Sequence, residues 1–266
     1  MDYGLIGEKL GHSFSKEIHN AFFNMHNQSN NYNLIEIEKN NLKKDFLNIM
    51  KNEYVGINVT VPYKENILKY VDEISNVAKE IGAINTVSFS YSGVLGDNTD
   101  YGGFIKMLDY YNVDAKGKKI YILGTGGASK AIVHALKNKG AKNIVFVSRS
   151  DIKEKDDLEV ITYNDLEKIS YKDIIIQGTP VGMYPNILKS PIEKDVLGQC
   201  EVAIDLIYNP KETRFLKYAK ENGANIFNGL YMLVSQAILS QEIWQKIPYS
   251  SKTVESIYHL LNKKMA

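Results

Sequence analysis

The sequence predicts an α/β protein of two domains on three observations. These are its length of 266 residues, a regular alternation of strand-like and helix-like segments in its second half, and one stretch that passes from an apolar run through a glycine turn into a helix. A chain of this length accommodates one large or two medium domains, each with its own core, and two is the better expectation. The turning stretch is Lys119-Ile120-Tyr121-Ile122-Leu123-Gly124-Thr125-Gly126-Gly127-Ala128-Ser129-Lys130-Ala131. Gly124 permits a tight turn, Gly126 permits close backbone approach to a diphosphate, and Ser129 stands where the dinucleotide fingerprint wants a small residue. Backbone N–H groups at the start of a helix over 128–139 then face the phosphates, with the helix dipole behind them.

Composition narrows the function classes. With 32 basic and 31 acidic side chains the formal net charge is +1, so no broad field draws in nucleic acid or an anionic membrane. No apolar run reaches about 18 residues, and 1–9 lacks the basic and apolar regions of a signal peptide; a cytoplasmic protein is expected. Cys200 is the single cysteine, which excludes an intrachain disulfide and suits a reducing compartment. His12 and His19 lack a carboxylate partner pattern, so no metal is expected.

Tyr3-Gly4-Leu5-Ile6-Gly7 is a short apolar strand running into a polar loop punctuated by Gly11, Ser13 and Ser15. The following helix presents Ile18, Phe22 and Met25 at spacings of three and four. Ser13 or Ser15 caps its free N–H groups or holds a polar ligand, and residue type leaves both open. Alternation over 32–38 predicts a half-solvated strand and 42–50 has the helical period. In Gly56-Ile57-Asn58-Val59-Thr60-Val61-Pro62, strand alternation puts Ile57, Val59 and Val61 on one face and Asn58 and Thr60 on the other. Pro62 is expected in the first turn of a helix carrying Lys64, which places that ammonium at a strand's C-terminal end, where ligands of open α/β sheets gather. Otherwise Lys64 is an ordinary solvated charge. A helix is expected over 71–81, then a turn entering a strand with Asn85 and Thr86 at its edge, and a hairpin through 91–93. Asp97-Asn98-Thr99-Asp100 precedes a helix to 111. Capping by Asp97, Thr99 or Asp100 explains this run fully, and spacing does not choose between cap and catalyst.

After a linker at 114–117 the alternation becomes regular. It comprises strand 120–123, helix 128–139, strand 143–148, a strand or edge at 160–163, helix 166–169, strands 173–177 and 202–206, helix 213–222 and strand 225–227. Such a pattern requires a parallel sheet covered on both sides, here a Rossmann-type dinucleotide-binding domain. Its second strand ends in Arg149, where NAD-binding folds place a carboxylate. Arginine pairs with a 2′-phosphate and offers the NAD ribose little, so the expected cofactor is NADP, with Lys153 as a second positive charge. The tail helix from 229 carries Gln236 in one stripe with Met232, Leu239 and Ile243; a buried amide needs a backbone or ligand partner. A last helix is expected over 254–262.

Several short runs, in this order, resemble the shikimate dehydrogenase family nearly end to end: His12-Ser13-Phe14-Ser15 with His19-Asn20, Asn58-Val59-Thr60-Val61-Pro62-Tyr63-Lys64, Gly82-Ala83-Ile84-Asn85-Thr86 and Asn98-Thr99-Asp100. They continue with Gly124-Thr125-Gly126-Gly127-Ala128, Thr179-Pro180-Val181-Gly182-Met183, Asp205-Leu206-Ile207-Tyr208-Asn209-Pro210 and 229–237. The resemblance implies NADP-dependent reversible reduction of 3-dehydroshikimate to shikimate, a step of aromatic amino-acid biosynthesis. It implies a substrate domain over 1–101, the NADP domain over 102–236, and C-terminal helices, 237–266, that return to the first domain. The implied substrate site is Ser13, Ser15, Asn58, Thr60, Lys64, Asn85, Asp100, Tyr208 and Gln236, the serines holding the carboxylate. The implied cofactor site is Gly124, Gly126, Gly127, Ala128, Ser148, Arg149, Ser150, Lys153, Thr179, Met183 and Gly229. Ser148-Arg149-Ser150 departs from the family's usual Asn-Arg-Thr, and Gln177-Gly178-Thr179 from its usual Asn-Ala-Thr. Relatives that are monomers or dimers imply either state.

Oxidising a secondary alcohol requires a hydride to leave carbon and a proton to leave oxygen, so a proton shuttle must reach the hydroxyl. Lys64 is expected to transfer that proton and Asp100 to orient Lys64 and the hydroxyl. Two rival readings stay open. One is an NAD-preferring quinate/shikimate dehydrogenase; the other is a non-catalytic shikimate-sensing module, which would be expected to have broken the Lys64/Asp100 pair.

Overall fold

Two parallel-rich sheets account for the alternation in the sequence. The computed structural model describes residues 1–11, 13–52, 54–150 and 152–265; His12, Glu53, Asp151 and Ala266, of which His12 belongs to a family motif, lie outside the described residues. In chain order the first elements are β1 (Asp2–Gly7), α1 (Ser15–Met25), β2 (Asn31–Glu36), α2 (Leu42–Lys51), β3 (Tyr54–Val59), β4 (Glu73–Ile74), α3 (Asn76–Ile81), β5 (Thr86–Ser90), β6 (Gly93–Asp97) and α4 (Thr99–Tyr110). Then come β7 (Lys119–Leu123), α5 (Ser129–Asn138), β8 (Asn143–Ser148), β9 (Glu154–Lys155), β10 (Leu158–Thr162), α6 (Tyr163–Glu167) and β11 (Tyr171–Gln177). The chain closes with α7 (Lys194–Leu197), β12 (Gln199–Asp205), α8 (Arg214–Glu221), β13 (Asn225–Asn228), α9 (Leu230–Gln245) and α10 (Ser251–Lys264). It divides into two units, Met1–Phe104 with Leu233–Leu261, and Ile105–Met232 with Asn262–Ala266.

The first unit holds the sheet β2-β1-β3-β5-β6-β4. β1 runs parallel to β2 and β3, while β5 reverses against β3 and β6. Ile6, Ile37, Phe46, Ile57, Val59, Tyr63, Ile84 and Val87 make its core on one face. On the other face a side chain at Gly56 would lie 2.1 Å from the Trp244 indole, whose Nε1 donates to the Val87 carbonyl at 2.9 Å. Only glycine lets α9 approach the strand this closely, and the tail thereby joins the first unit.

Three expectations for this unit are corrected. The helix over 71–81 is instead β4 followed by α3, because Ser75 accepts the Ala78 N–H and starts the helix there. Pro62 begins no helix: the Val61–Pro62 bond is cis, and Lys64 stands in a turn ahead of the 3₁₀ segment Asn66–Tyr70. Met25, placed on the apolar face of α1, is exposed, whereas Ile18 and Phe22 are buried.

The second unit holds β13-β12-β11-β7-β8-β10-β9, parallel throughout except for the β9/β10 hairpin. Strand order reverses at β7, with β8 on one side and β11 on the other, so β7 ends at the crevice where such sheets bind ligands. Tyr121, Leu123, Val145, Val147, Ile175, Ala203, Phe215 and Leu216 belong to one core cluster. The strand expected at 160–163 lies between β8 and a β9 that the pattern did not announce. Among the described residues no helix is long and apolar enough to cross a membrane.

Candidate active site

In the first unit the chain brings Lys64 and Asp100 together from opposite sides of β5. The Lys64 carbonyl accepts the Ile84 N–H at 2.8 Å, fixing the turn backbone beside the start of that strand. Asp100 is the second residue of α4, but it does not cap the helix. Asn98 does: its Oδ1 accepts the N–H of Asp100 at 3.1 Å and of Tyr101 at 3.4 Å, while its Nδ2 donates to the Ala83 carbonyl at 2.9 Å. Asp97 is occupied by Ser75 Oγ at 2.7 Å and the Asn98 N–H at 2.6 Å. Asp100 is thereby free of the capping role, and its carboxylate accepts Lys64 Nζ at 2.6 Å. Both side chains are largely buried, 13% and 10% exposed, so their attraction is stronger than a surface pair's.

Around this pair lies a polar network. Asn85 Oδ1 accepts the Thr99 N–H at 2.7 Å and the Thr86 hydroxyl at 3.0 Å, which leaves its NH₂ end as the more available one. Asn58 is buried; its Oδ1 accepts the Tyr32 hydroxyl at 2.7 Å, and its Nδ2 donates to Ser240 Oγ at 2.8 Å and to the Asn85 carbonyl at 3.2 Å. Thr60 follows at the strand end, half-buried. Burial pushes the Tyr32 phenol well above its ordinary range, opposed by Ser15 beside it, so the serine loop meets this network through Tyr32. Ser13 Oγ and Ser15 Oγ lie 3.1 Å apart, and Ser13 accepts the Ser15 N–H. Ser13 thus supports the start of α1, while Ser15, inside the helix, does not cap it. His19 stacks on Tyr32 at 3.9 Å and contacts Gln241 at 2.8 Å. Burial holds its pKa down to about 3, so the ring is neutral near pH 7. Gln236 is half-buried and donates to the Leu233 carbonyl of its own helix at 2.9 Å. The fully buried amide of α9 is Gln241 instead.

In the second unit, Gly124 has φ +90°, and a side chain on it would lie 2.6 Å from Thr179 Cγ2, so glycine is required and Thr179 is packed on the turn. A side chain at Gly126 would meet nothing within 4 Å. Gly127 and Ala128 complete the turn, and α5 begins at Ser129 with no side-chain cap, leaving N–H groups for an anion. Ser148 ends β8, and Arg149 and Ser150 follow it; Arg149 and Ser150 are exposed, as is Lys153. Buried Gln177 accepts the Thr179 N–H at 3.0 Å and hydroxyl at 2.9 Å and donates to the Val181 carbonyl at 3.0 Å, which is why this departure keeps the loop folded. The Tyr184 N–H donates to the Asn209 carbonyl at 3.2 Å, linking the loop of exposed Met183 to that of half-buried Tyr208. Asp205 anchors the latter, accepting Thr213 Oγ1 at 2.6 Å and the Ile207 N–H at 2.9 Å. Burial pushes its carboxyl up to about 7. A side chain at Gly229 would meet the Leu206 carbonyl oxygen at 2.1 Å.

Residues 5–87 match the shikimate dehydrogenase substrate binding domain. A shikimate dehydrogenase (NADP(+)) of Clostridium perfringens is 43% identical over 97% of both chains. The chain belongs to the shikimate dehydrogenase family. Among solved structures, a chorismate mutase/shikimate 5-dehydrogenase fusion protein from Clostridium acetobutylicum is 45% identical, with TM-score 0.95 over 99% of this chain and 98% of that one. Shikimate 5-dehydrogenase of Thermus thermophilus, in complex with NADP(H) and shikimate, is 27% identical, with TM-score 0.85 over 97% and 98%.

The shikimate dehydrogenase motifs leave out several groups that the structure sets beside these residues. Tyr32 holds Asn58, and Ser240 joins Asn58 to Thr86 and Thr99. Single tyrosines and serines at such positions carry no local signal.

Proposed function

We infer that this chain is an oxidoreductase that reversibly reduces 3-dehydroshikimate to shikimate with NADP(H), in the shikimate pathway that leads to chorismate and the aromatic amino acids. The carrying observation is the largely buried Lys64–Asp100 pair at 2.6 Å, an acid/base group held by an orienting carboxylate beside Asn85. The glycine turn fits the dinucleotide: a positive-φ glycine, an open position at Gly126 and an uncapped helix start suit a diphosphate. Bound there, NADP(H) supplies or accepts the hydride.

Lys64 Nζ gives a proton to the carbonyl oxygen as the ketone becomes an alcohol and takes it back in the reverse direction. Asp100 fixes the ammonium and accepts a hydrogen bond from a ring hydroxyl. Ser13 and Ser15 receive the substrate carboxylate. Thr60, Asn85 and Gln236 complete the hydroxyl contacts, and Asn58, engaged with Tyr32 and Ser240, forms the inner wall. Gly124, Gly126, Gly127 and Ala128 take the diphosphate, and Ser148, Arg149, Ser150 and Lys153 surround the 2′-phosphate end. Thr179, Met183 and Gly229 border the nicotinamide. The substrate residues from Ser13 to Asp100 belong with 1–101, Tyr208, Gln236 and the cofactor residues with 102–236, the tail 237–266 being assigned to the first domain. The enzyme works in the cytoplasm. Formation of 3-dehydroshikimate and NADPH in equal amounts from shikimate and NADP+ tests this reading. Shikimate binding without turnover would favour the sensing module instead.

A further inference from the structure

Ser240 stands on α9 one turn after Gln236, and a helical serine ordinarily does no more than donate back to the carbonyl four residues before it. Ser240 makes that bond, Oγ to the Gln236 carbonyl at 3.0 Å, but three other polar groups close on the same oxygen. They are Asn58 Nδ2 of β3 at 2.8 Å, Thr86 Oγ1 of β5 at 2.9 Å and Thr99 Oγ1 of α4 at 3.2 Å. Ser240, Thr86 and Thr99 are buried, as are Asn58 and Asn85. Four elements of the first unit therefore meet at one hydroxyl.

Counting donors and acceptors gives this circuit a direction. A serine hydroxyl has one proton and two lone pairs; with the proton given to Gln236, Ser240 Oγ is left as an acceptor. Asn85 Oδ1 has two acceptor positions as well, one filled by the Thr99 N–H at 2.7 Å. The three positions that remain on these two oxygens meet three donors: one Asn58 N–H and the Thr86 and Thr99 hydroxyls, each of which reaches both oxygens. The resulting polarity fixes both asparagines. Asn58 turns its NH₂ to Ser240 and to the Asn85 carbonyl and keeps Oδ1 for Tyr32 and one further donor. Asn85 spends its oxygen inward and leaves NH₂ as the available end. Without Ser240 Oγ, two of the three donors lose their acceptor, and rotation of the Asn58 amide, which exchanges its oxygen and NH₂ ends, is the simplest relief.

We propose that Ser240 is a positioning residue for substrate recognition: its oxygen sets Asn58 to present an acceptor, and Asn85 a donor, to the ring hydroxyls. This rests on the shikimate reading above. The test is calorimetric titration of wild type, Ser240→Ala, Ser240→Thr and Ser240→Val with shikimate and, separately, with NADP+. Threonine and valine share one shape and differ in the hydroxyl, so the pair cancels the effect of added bulk, and alanine removes the hydroxyl with no added bulk. Ser240→Val and Ser240→Ala are expected to weaken shikimate by about tenfold, as for loss of one buried hydrogen bond, with Ser240→Thr within about threefold of wild type. NADP+ affinity stays unchanged throughout, and turnover at saturating shikimate stays within about threefold because the Lys64–Asp100 bond lies outside the circuit. Tyr32→Phe releases the other end of the same amide, so its loss in shikimate affinity and that of Ser240→Ala are less than additive in the double variant. Equal shikimate affinity in Ser240→Thr and Ser240→Val would overturn the proposal, as would full additivity with Tyr32→Phe or a fall in turnover at unchanged affinity. Parallel weakening of NADP+ would make Ser240 a brace of the fold and overturn it too. Wild-type protein that binds no shikimate would overturn the substrate reading itself, a failure visible before any variant is made.

Discussion

Replacing Lys64 by alanine removes the ammonium that Asp100 holds at 2.6 Å and separates the chemical role of the pair from its structural one. Loss of a positioned acid/base group lowers turnover by about 10²–10⁴-fold, or roughly 3–5 kcal/mol of transition-state stabilisation. The structural cost is smaller. Deleting one partner of a buried pair costs about 3–5 kcal/mol where the remaining charge is stranded. Asp100, however, keeps 10% exposure and sits in the first turn of α4, where the dipole returns about 0.3–1 kcal/mol, and water can enter the space left by the side chain. A stability loss of roughly 1–3 kcal/mol is expected. The assay is initial-rate NADP+ reduction at saturating shikimate, with shikimate affinity from calorimetry and folding from a urea transition. Turnover should fall by about 10²-fold or more with only modest change in affinity. A folded Lys64→Ala protein with near-normal turnover would refute the assignment of Lys64 as the proton carrier.

Asn98→Ala removes the α4 cap and the bond to Ala83, and should cost roughly 1–3 kcal/mol in a urea transition, with slower turnover because Asp100 loses its anchor; an unchanged midpoint would argue against Asn98 as the cap. Tyr32→Phe leaves Asn58 Oδ1 without its buried donor, and should cost about 1–3 kcal/mol and raise the KM for shikimate; unchanged values for both would remove Tyr32 from the site's support. Gly124→Ala forces a side chain into the left-handed region and against Thr179, so NADP+ affinity should fall by about tenfold or more; wild-type affinity would mean that the turn does not contact the cofactor. Asp205 makes stability depend on pH. Its folded pKa of about 7 lies above the ordinary value of 3.8, so its favourable contribution is complete below about pH 4 and lost as pH rises to 7. Over that gap of about three pH units the loss is on the order of 4 kcal/mol. Asp205→Asn should flatten this decline in urea midpoint, and parallel profiles for the two proteins would contradict it.

The second unit was legible because period and turn chemistry agree there: apolar runs, a glycine turn and regular helices each point to the same parallel sheet. Boundaries failed where a single side chain decided them. Nothing in the periodicity of 71–81 says that Ser75 interrupts it. Asn98, rather than the carboxylates beside it, caps α4 because its amide bonds α4 through Oδ1 and Ala83 through Nδ2, a long-range requirement invisible in spacing. Gln236 was placed in a buried stripe, yet α9 turns Gln241 and Trp244 inward, because Gly56 leaves room for the indole on β3. Lys64 and Asp100 could be nominated from their neighbourhoods, but their pairing depends on residues 83–85, just ahead of β5, holding both the Lys64 turn and the start of α4.

The most direct measurement is the initial rate of coenzyme reduction by the wild-type protein with shikimate and with quinate, each offered NADP+ and NAD+ at equal concentration. The account predicts shikimate-dependent reduction of NADP+, faster than with NAD+ and faster than with quinate. No reduction of either coenzyme by a protein that binds shikimate would contradict it, and a preference for NAD+ with quinate would replace it with the broader dehydrogenase.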